Sequence, residues 1–338
     1  MKTLVLETPG AFVTQHRPSL APPELGEARV RIRRIGVCGT DLHAFKGDQP
    51  FFSYPRVLGH ELGVEVLEVN GESSLEAGQY CTVEPYLACG QCGPCKQGKT
   101  NCCTELVVLG VHEDGGMCEE MNLPLDRLHA SSSLPLEHLA LVEPLCIGAH
   151  AVARAGIGAR DHVAIVGAGP IGLATAQFAL LAGAEPIIVE VSAHRKAFCE
   201  QFMDVKGCVD GAAGTEEALK EAFGGDLPDV VFDANGNANA MTKAFDLVAS
   251  GGKLVFVGLV KDHISFYDPE FHRRELTLLS SRNATGSDFR YVIEMLEEGR
   301  INLTPWITHR ASLDEVAESF PEWLDPESEV VKAMIDVD

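Results

Sequence analysis

The stretch that decides the fold is VAIVGAGPIG, residues 163–172. Four apolar residues, mostly β-branched, read as a buried strand, and Gly167-Ala168-Gly169-Pro170-Ile171-Gly172 follows directly. The glycines permit a tight turn, close approach of the backbone to a pyrophosphate, and close packing of helix on strand. Pro170 suits a first helical turn, where its missing N–H has no intrahelical partner to lose. The helix that opens there points free N–H groups at phosphate oxygens. PIIVEV, residues 186–191, reads as the next strand and carries Glu190, 21 residues beyond Gly169. An acid at that place accepts hydrogen bonds from the adenosine ribose hydroxyls and repels a 2′-phosphate, which predicts NAD over NADP. Arg195 is the opposing signal, because arginine accommodates a 2′-phosphate.

Short apolar runs at 230–233 and 254–257, each followed by glycine, extend the strand–helix alternation across 151–274. That texture predicts a doubly wound parallel sheet with helices on both faces. Residues 1–150 differ. RVRIRRI (29–35) and GVEVLEV (63–69) alternate with period two, as strands with one buried face do, and Gly/Pro turns separate them. Residues 275–338 have a mixed texture and are too few for a third domain, so they are expected to return to the first. With 338 residues, two domains of an α/β protein are predicted.

Composition narrows the partners. A 46% hydrophobic content supports real cores and excludes a largely disordered chain. With 27 basic against 49 acidic residues, the net charge of −22 repels phosphate backbones and anionic lipid, so neither nucleic acid nor membrane is expected as a partner. The N-terminal residues lack the apolar core of a signal peptide, and the apolar stretch 163–181 is broken by glycines and a proline. Eleven cysteines, an odd and clustered set, read as metal ligands rather than disulfides, and cytoplasmic residence is the expectation.

Cys89-x-x-Cys92-x-x-Cys95 followed by Cys102 and Cys103 supplies four thiolates for a closed, structural metal site. The spacing alone admits zinc or an iron–sulfur cluster, and either Cys102 or Cys103 as fourth ligand. A second constellation is open. Cys38 lies in GVCGTDLH (36–43), His60 and Glu61 in GHE (59–61), and Glu143 in EPL (143–145). One cysteine, one histidine and one or two carboxylates can hold a zinc ion and leave a position for water or an alcohol. Taken singly, each of these residues has an ordinary packing role as well.

These motifs, in this order and together with VGAGPIG (166–172), resemble the zinc-dependent medium-chain alcohol dehydrogenase family over essentially the full length. YPRVLGHE (54–61), LGVHEDGG (109–116) and SSRN (280–283) are similar to its polyol and sugar-acid branch, which includes sorbitol and threonine dehydrogenases and starvation-sensing-type proteins. The resemblance implies a GroES-like, mostly β catalytic domain with a zinc lobe, built from 1–150 and 275–338, plus a Rossmann domain at 151–274. It implies two zinc ions per chain and NAD. Cys38 and His60 are the implied ligands of the catalytic zinc, with Glu61 or Glu143 beside them. Cys103 joins Cys89, Cys92 and Cys95 around the structural zinc. A homodimer or homotetramer is implied.

The chemistry implied is hydride transfer from a secondary hydroxyl of a polyol, sugar or sugar acid to nicotinamide, with zinc as the Lewis acid. Thr40 would take the hydroxyl proton, His43 would pass it to solvent, and Asp41 would buttress a metal ligand. Two other readings are an L-threonine 3-dehydrogenase-like enzyme and a non-catalytic NADH-binding protein on the same scaffold. Residues 45–56 (FKGDQPFFSYPR), with Arg56, and the pair Arg282 and Asn283 are expected to border the substrate.

Overall fold

The computed structural model describes residues 1–50 and 52–337. Phe51, one of the aromatics expected beside the substrate, lies outside the described residues. The chain divides into two compact units, Met1–Pro144 with Ala284–Asp338, and Leu145–Asn283.

In the second unit a six-stranded parallel sheet runs in the spatial order Gly207–Asp210, Ile187–Glu190, Val163–Val166, Val230–Asp233, Lys253–Phe256, Thr277–Ser280. The order reverses at Val163–Val166. With right-handed crossovers, the connections on either side of that strand lie on opposite faces, which is the doubly wound arrangement. The central strands Val163–Val166, Ile187–Glu190 and Val230–Asp233 are buried throughout. This is why they read as continuous apolar runs without alternation. Their carboxyl ends, where ligands bind in open α/β sheets, carry the glycine turn, Glu190 and Asp233.

In the first unit a seven-stranded, mostly antiparallel sheet is centred on Glu27–Gly36, which pairs with Glu61–Asn70 on one side and Lys332–Asp336 on the other. Lys332–Asp336 is itself parallel to Ile307–Ser312. Burial along Glu27–Gly36 alternates cleanly through Ile32, while its register against Glu61–Asn70 shifts twice, between Arg29 and Val30 and between Ile32 and Arg34. Such a bulge re-aims the residues beyond it. Beyond the second shift Ile35 and Gly36 are both buried, and Gly36 stands opposite Glu61 in the register with which the pair of strands begins. The core under this sheet is aliphatic and includes Leu6, Ile32, Leu58, Leu62 and Val64, with Phe320 from the C-terminal segment.

The unit boundaries fall at 144/145 and 283/284, against the expected 150/151 and 274/275. The later second boundary has a plain cause. Thr277–Ser280 pairs in parallel with Lys253–Phe256 and so completes the parallel sheet before the chain leaves it. Among the described residues, no helix is long and apolar enough to cross a membrane.

Candidate active site and metal centres

Cys38 follows the strand Glu27–Gly36 and sits, with extended backbone, just before the helix Gly39–Lys46. His60 and Glu61 stand at the start of the neighbouring strand, because Gly36 pairs with Glu61 across the ladder. This pairing brings ligand atoms of Cys38, His60 and Glu61 within 4.8 Å of one another. Asp41 ties the two segments together. Its Oδ2 accepts the Cys38 N–H at 2.9 Å, and its Oδ1 accepts the Gly59 N–H at 3.4 Å. The same Oδ1 lies 3.7 Å from His60 Nδ1.

The surroundings are dry and strongly acidic. Asp41, Glu61 and Glu143 are 1%, 0% and 4% exposed. Lys332, 2% exposed, is their buried cation; it donates to Glu61 Oε1 at 2.6 Å and to the Val37 carbonyl at 2.9 Å. Glu61 Oε2 also touches this ammonium as an ion pair, but without a hydrogen bond of acceptable direction. Glu143 accepts a hydrogen bond from the Tyr86 hydroxyl through Oε1. Lys332 and Tyr86 both escape the sequence reading.

Burial works against the His60 imidazolium, but Asp41, Cys38 and Glu143 outweigh it and raise the imidazole well above its ordinary range. Burial pushes the Glu143 carboxyl up to about 7, aided by Glu61 and opposed by His60. A field that holds protons this firmly also favours a divalent cation, since metal and protons compete for the same donors. His60 Nδ1 is buried without a hydrogen bond. Three buried carboxyl groups share this pocket with the Lys332 ammonium and the His60 ring, and unpaired buried charge is costly. The donor set of thiolate, imidazole and carboxylate therefore fits zinc.

Thr40 and His43 stand three apart on the helix Gly39–Lys46 and so share a face. Thr40 is half-buried; the His43 side chain is 59% exposed, with Nδ1 2.8 Å from Asp48 Oδ1. Arg56 has protein partners of its own. It bonds Ser53 Oγ at 3.0 Å and lies 3.8 Å from Asp114, whose carboxylate accepts the Val57 N–H.

The cysteine lobe gathers the sulfurs of Cys89, Cys92, Cys95 and Cys103 within 4.8 Å of one another, whereas Cys102 is exposed and outside the group. Cys92 precedes the single turn Gly93–Lys96, in which Pro94 occupies an early helical position. Backbone N–H groups of Thr104 and Cys95 lower the Cys92 thiol to about 6. The N–H groups of Cys89 and Glu105 lie 3.3 and 3.4 Å from Cys103 Sγ and lower that thiol too. Amides aimed at sulfur stabilise the thiolates that a metal needs. With four protein donors such a set is closed to substrate.

In the second unit, Gly167 adopts a φ of +101°, and a Cβ on Gly172 would lie 1.9 Å from the Gly167 oxygen. Only glycine serves at either place. The helix opens at Pro170 and Ile171 with Gly169 extended before it. Glu190 is 6% exposed, and its carboxylate accepts N–H groups from Ala168 at 2.7 Å, Val191 at 2.7 Å and Ser192 at 2.9 Å. It thus braces the phosphate turn in addition to presenting negative charge there. The Arg195 guanidinium lies 3.8 Å from where a Cβ on Gly169 would stand. Asp233, fully buried and pushed up to about 6 by that burial, bonds Asn235 Nδ2 at 2.7 Å beside Gly167. This pair is a further feature that sequence reading misses.

Comparison with known proteins covers both units. Residues 24–133 match the alcohol dehydrogenase GroES-like domain, and residues 170–298 match the zinc-binding dehydrogenase domain. L-galactonate-5-dehydrogenase of Escherichia coli (strain K12) is 40% identical over 336 residues, covering 99% of this chain and 98% of that protein. The alcohol dehydrogenase RspB of E. coli CFT073, solved with NADH, superposes with a TM-score of 0.89 at 28% identity, covering 99% of each chain. A zinc-binding dehydrogenase of Sinorhizobium meliloti 1021 solved with NADP gives a TM-score of 0.88 at 28% identity, covering 99% of this chain and 98% of that one. Likeness on this scale, continuous through both units and their motifs, makes the chain a member of the zinc-dependent medium-chain alcohol dehydrogenase family, an oxidoreductase of CH–OH groups that uses zinc and NAD.

Proposed function

We propose that the chain oxidises a secondary hydroxyl of a sugar acid, or of a related polyol, with NAD as hydride acceptor. The observation that carries this reading is the Cys38–His60–Glu61 group, with Cys38 half-buried and the other two buried, taken with the 40% identity to a sugar-acid dehydrogenase. When bound, zinc lowers the pKa of the substrate hydroxyl and NAD accepts its hydride. Cys38, His60 and one of the carboxylates Glu61 and Glu143 hold that ion. Asp41 fixes both ligand segments through their N–H groups. Thr40 accepts the departing proton at Oγ1 and His43, exposed and bonded to Asp48, hands it to water. Cys89, Cys92, Cys95 and Cys103 hold the second, structural zinc. Gly167, Gly169, Pro170, Ile171 and Gly172 cradle the pyrophosphate, and the negative charge of Glu190 disfavours a 2′-phosphate.

The same reading makes the protein a homodimer or homotetramer. Thr277–Ser280 is an edge strand of the parallel sheet, and its Leu278 is 38% exposed. An open strand edge with apolar side chains invites pairing with another copy. That none of the eleven cysteines is paired in a disulfide supports a reducing, cytoplasmic setting. The experiment is a spectrophotometric assay of NADH formation across aldonates, polyols and L-threonine. Turnover is expected with an aldonate such as L-galactonate; a zinc-replete protein inert toward every hydroxyl compound contradicts the reading.

A further inference from the structure

Glu61 is pulled from two sides. One of its oxygens belongs to the group formed with Cys38 Sγ and a His60 nitrogen, all within 4.8 Å. The same carboxylate is held by Lys332 Nζ, 2.6 Å from Oε1 and in contact with Oε2. The ammonium cannot follow the carboxylate freely. It is anchored at 2.9 Å to the Val37 carbonyl, one residue before Cys38, and the strand that carries it is fixed there by the Val37 N–H donating to Ala333 O at 3.0 Å. Lys332 is 2% exposed, and among the described residues Glu61 makes no other ion pair. Nor is the place accidental in volume. A Cβ on Gly36 would lie 2.0 Å from Glu61 Oε2, so the backbone leaves room for the carboxylate between strand and metal group.

From this geometry we propose that Lys332 is a positioning residue that competes with the metal for Glu61. The carboxylate shared between ammonium and metal binds the metal less firmly than a free one, because each cation draws electron density from the same two oxygens. Lys332 thereby keeps this donor exchangeable and the coordination place beside it available to the hydroxyl. The inference rests on the reading above that Cys38 and His60 hold a zinc ion. It concerns how the chain regulates that ion's donors, and it assigns a role to a residue of the last strand, 271 positions from its partner.

The sign of one effect separates this role from simple structural support. If Lys332 only held the fold together, Lys332→Met would loosen the site and zinc would escape faster. If it competes for Glu61, the substitution leaves the carboxylate to the metal, and zinc leaves more slowly. The test uses the purified, zinc-loaded full-length protein and follows transfer of zinc to a chromogenic chelator. Lys332→Met is expected to slow release from the Cys38 site by about ten-fold, the lower end of what partners of metal ligands contribute. In the cobalt-substituted protein the visible absorption bands should shift. The same substitution on a Glu61→Gln background should change neither release nor spectrum, because the contested carboxylate is gone. Faster or unchanged release, or an effect that persists on the Glu61→Gln background, overturns the proposal. Lys332→Gln, which keeps a donor for Val37 O without the charge, carries the same expectation where Lys332→Met fails to fold. Wild-type protein holding a single zinc ion per chain would overturn the underlying site reading as well, whereas two ions with an unaltered release rate sinks this inference alone.

Discussion

Gly36 and Glu61 are cross-strand partners, and the carboxylate of Glu61 fills the volume that any side chain at position 36 would require. The pairing brings His60 and Glu61 beside Cys38, and Lys332 meets the carboxylate from the opposite neighbouring strand. The pairing of three neighbouring strands thus organises an acidic, desolvated site.

Gly36→Ala places a methyl group 2.0 Å from Glu61 Oε2, and the carboxylate must move. Metal affinity at the Cys38 site is expected to fall by about 10- to 100-fold, as it does when partners of metal ligands are removed. Competition with a chelator measures it. An unchanged affinity would mean that Glu61 has no part in holding the ion.

Stability should depend on pH in the metal-free protein and much less in the zinc-loaded one. Burial raises Glu143 from 4.5 to about 7, so between these values the folded chain keeps a proton that the unfolded chain releases. Stability from this group is full below pH 4.5 and falls as pH rises toward 7, by about 3 kcal/mol at most. His60, raised by its acidic neighbours despite burial, adds in the same direction: its contribution is full below 6.5 and is lost as pH climbs through its higher folded value. Zinc replaces these protons as the positive charge. Denaturant titrations of stripped protein at pH 5 and pH 8 should show the loss; equal stability at both would contradict the burial argument.

Glu190→Ala removes the acceptor of three backbone N–H groups at 2.7, 2.7 and 2.9 Å, one of them in the phosphate turn. NADH should bind about ten-fold or more weakly, since the Ala168 N–H is buried and an unsatisfied buried donor costs ~1–3 kcal/mol. Discrimination against NADPH should shrink, with Arg195 now unopposed. Fluorescence titration with both cofactors reads this directly, and an unaltered preference would leave Glu190 a bracing role only.

Thr40→Val removes the first proton acceptor while keeping the shape. A loss of ~10²- to 10⁴-fold in kcat is the expected range for a general acid–base group. His43→Ala, one step nearer solvent, should lose less and recover with added imidazole. Full activity of Thr40→Val would send the proton by another route.

The sequence carries the parts of this site that chemistry forces into local motifs. Gly167 and Gly172 declare the tight turn because no other residue fits there, and the spacing of Cys89, Cys92 and Cys95 declares a thiolate cluster. Lys332 is invisible for the opposite reason. Its strand, Lys332–Asp336, is buried on both faces, so no alternation distinguishes an inward lysine from its neighbours. Its partner is 271 residues away. The Tyr86–Glu143 bond is likewise a tertiary fact, and the Asp233–Asn235 bond, though local, has no signature beyond an ordinary strand end. The boundary near 283 depends on a strand joining the parallel sheet, which texture alone does not reveal.

The proposed chemistry depends on a zinc ion at Cys38 and His60, distinct from the one in the cysteine lobe. Its most direct test is the zinc content of purified wild-type and Cys38→Ser protein, measured alongside NADH affinity. Two ions in the wild type, one in the variant, and NADH binding retained are the predicted result. A wild-type chain with one ion, or a Cys38→Ser chain that still holds two, would contradict it.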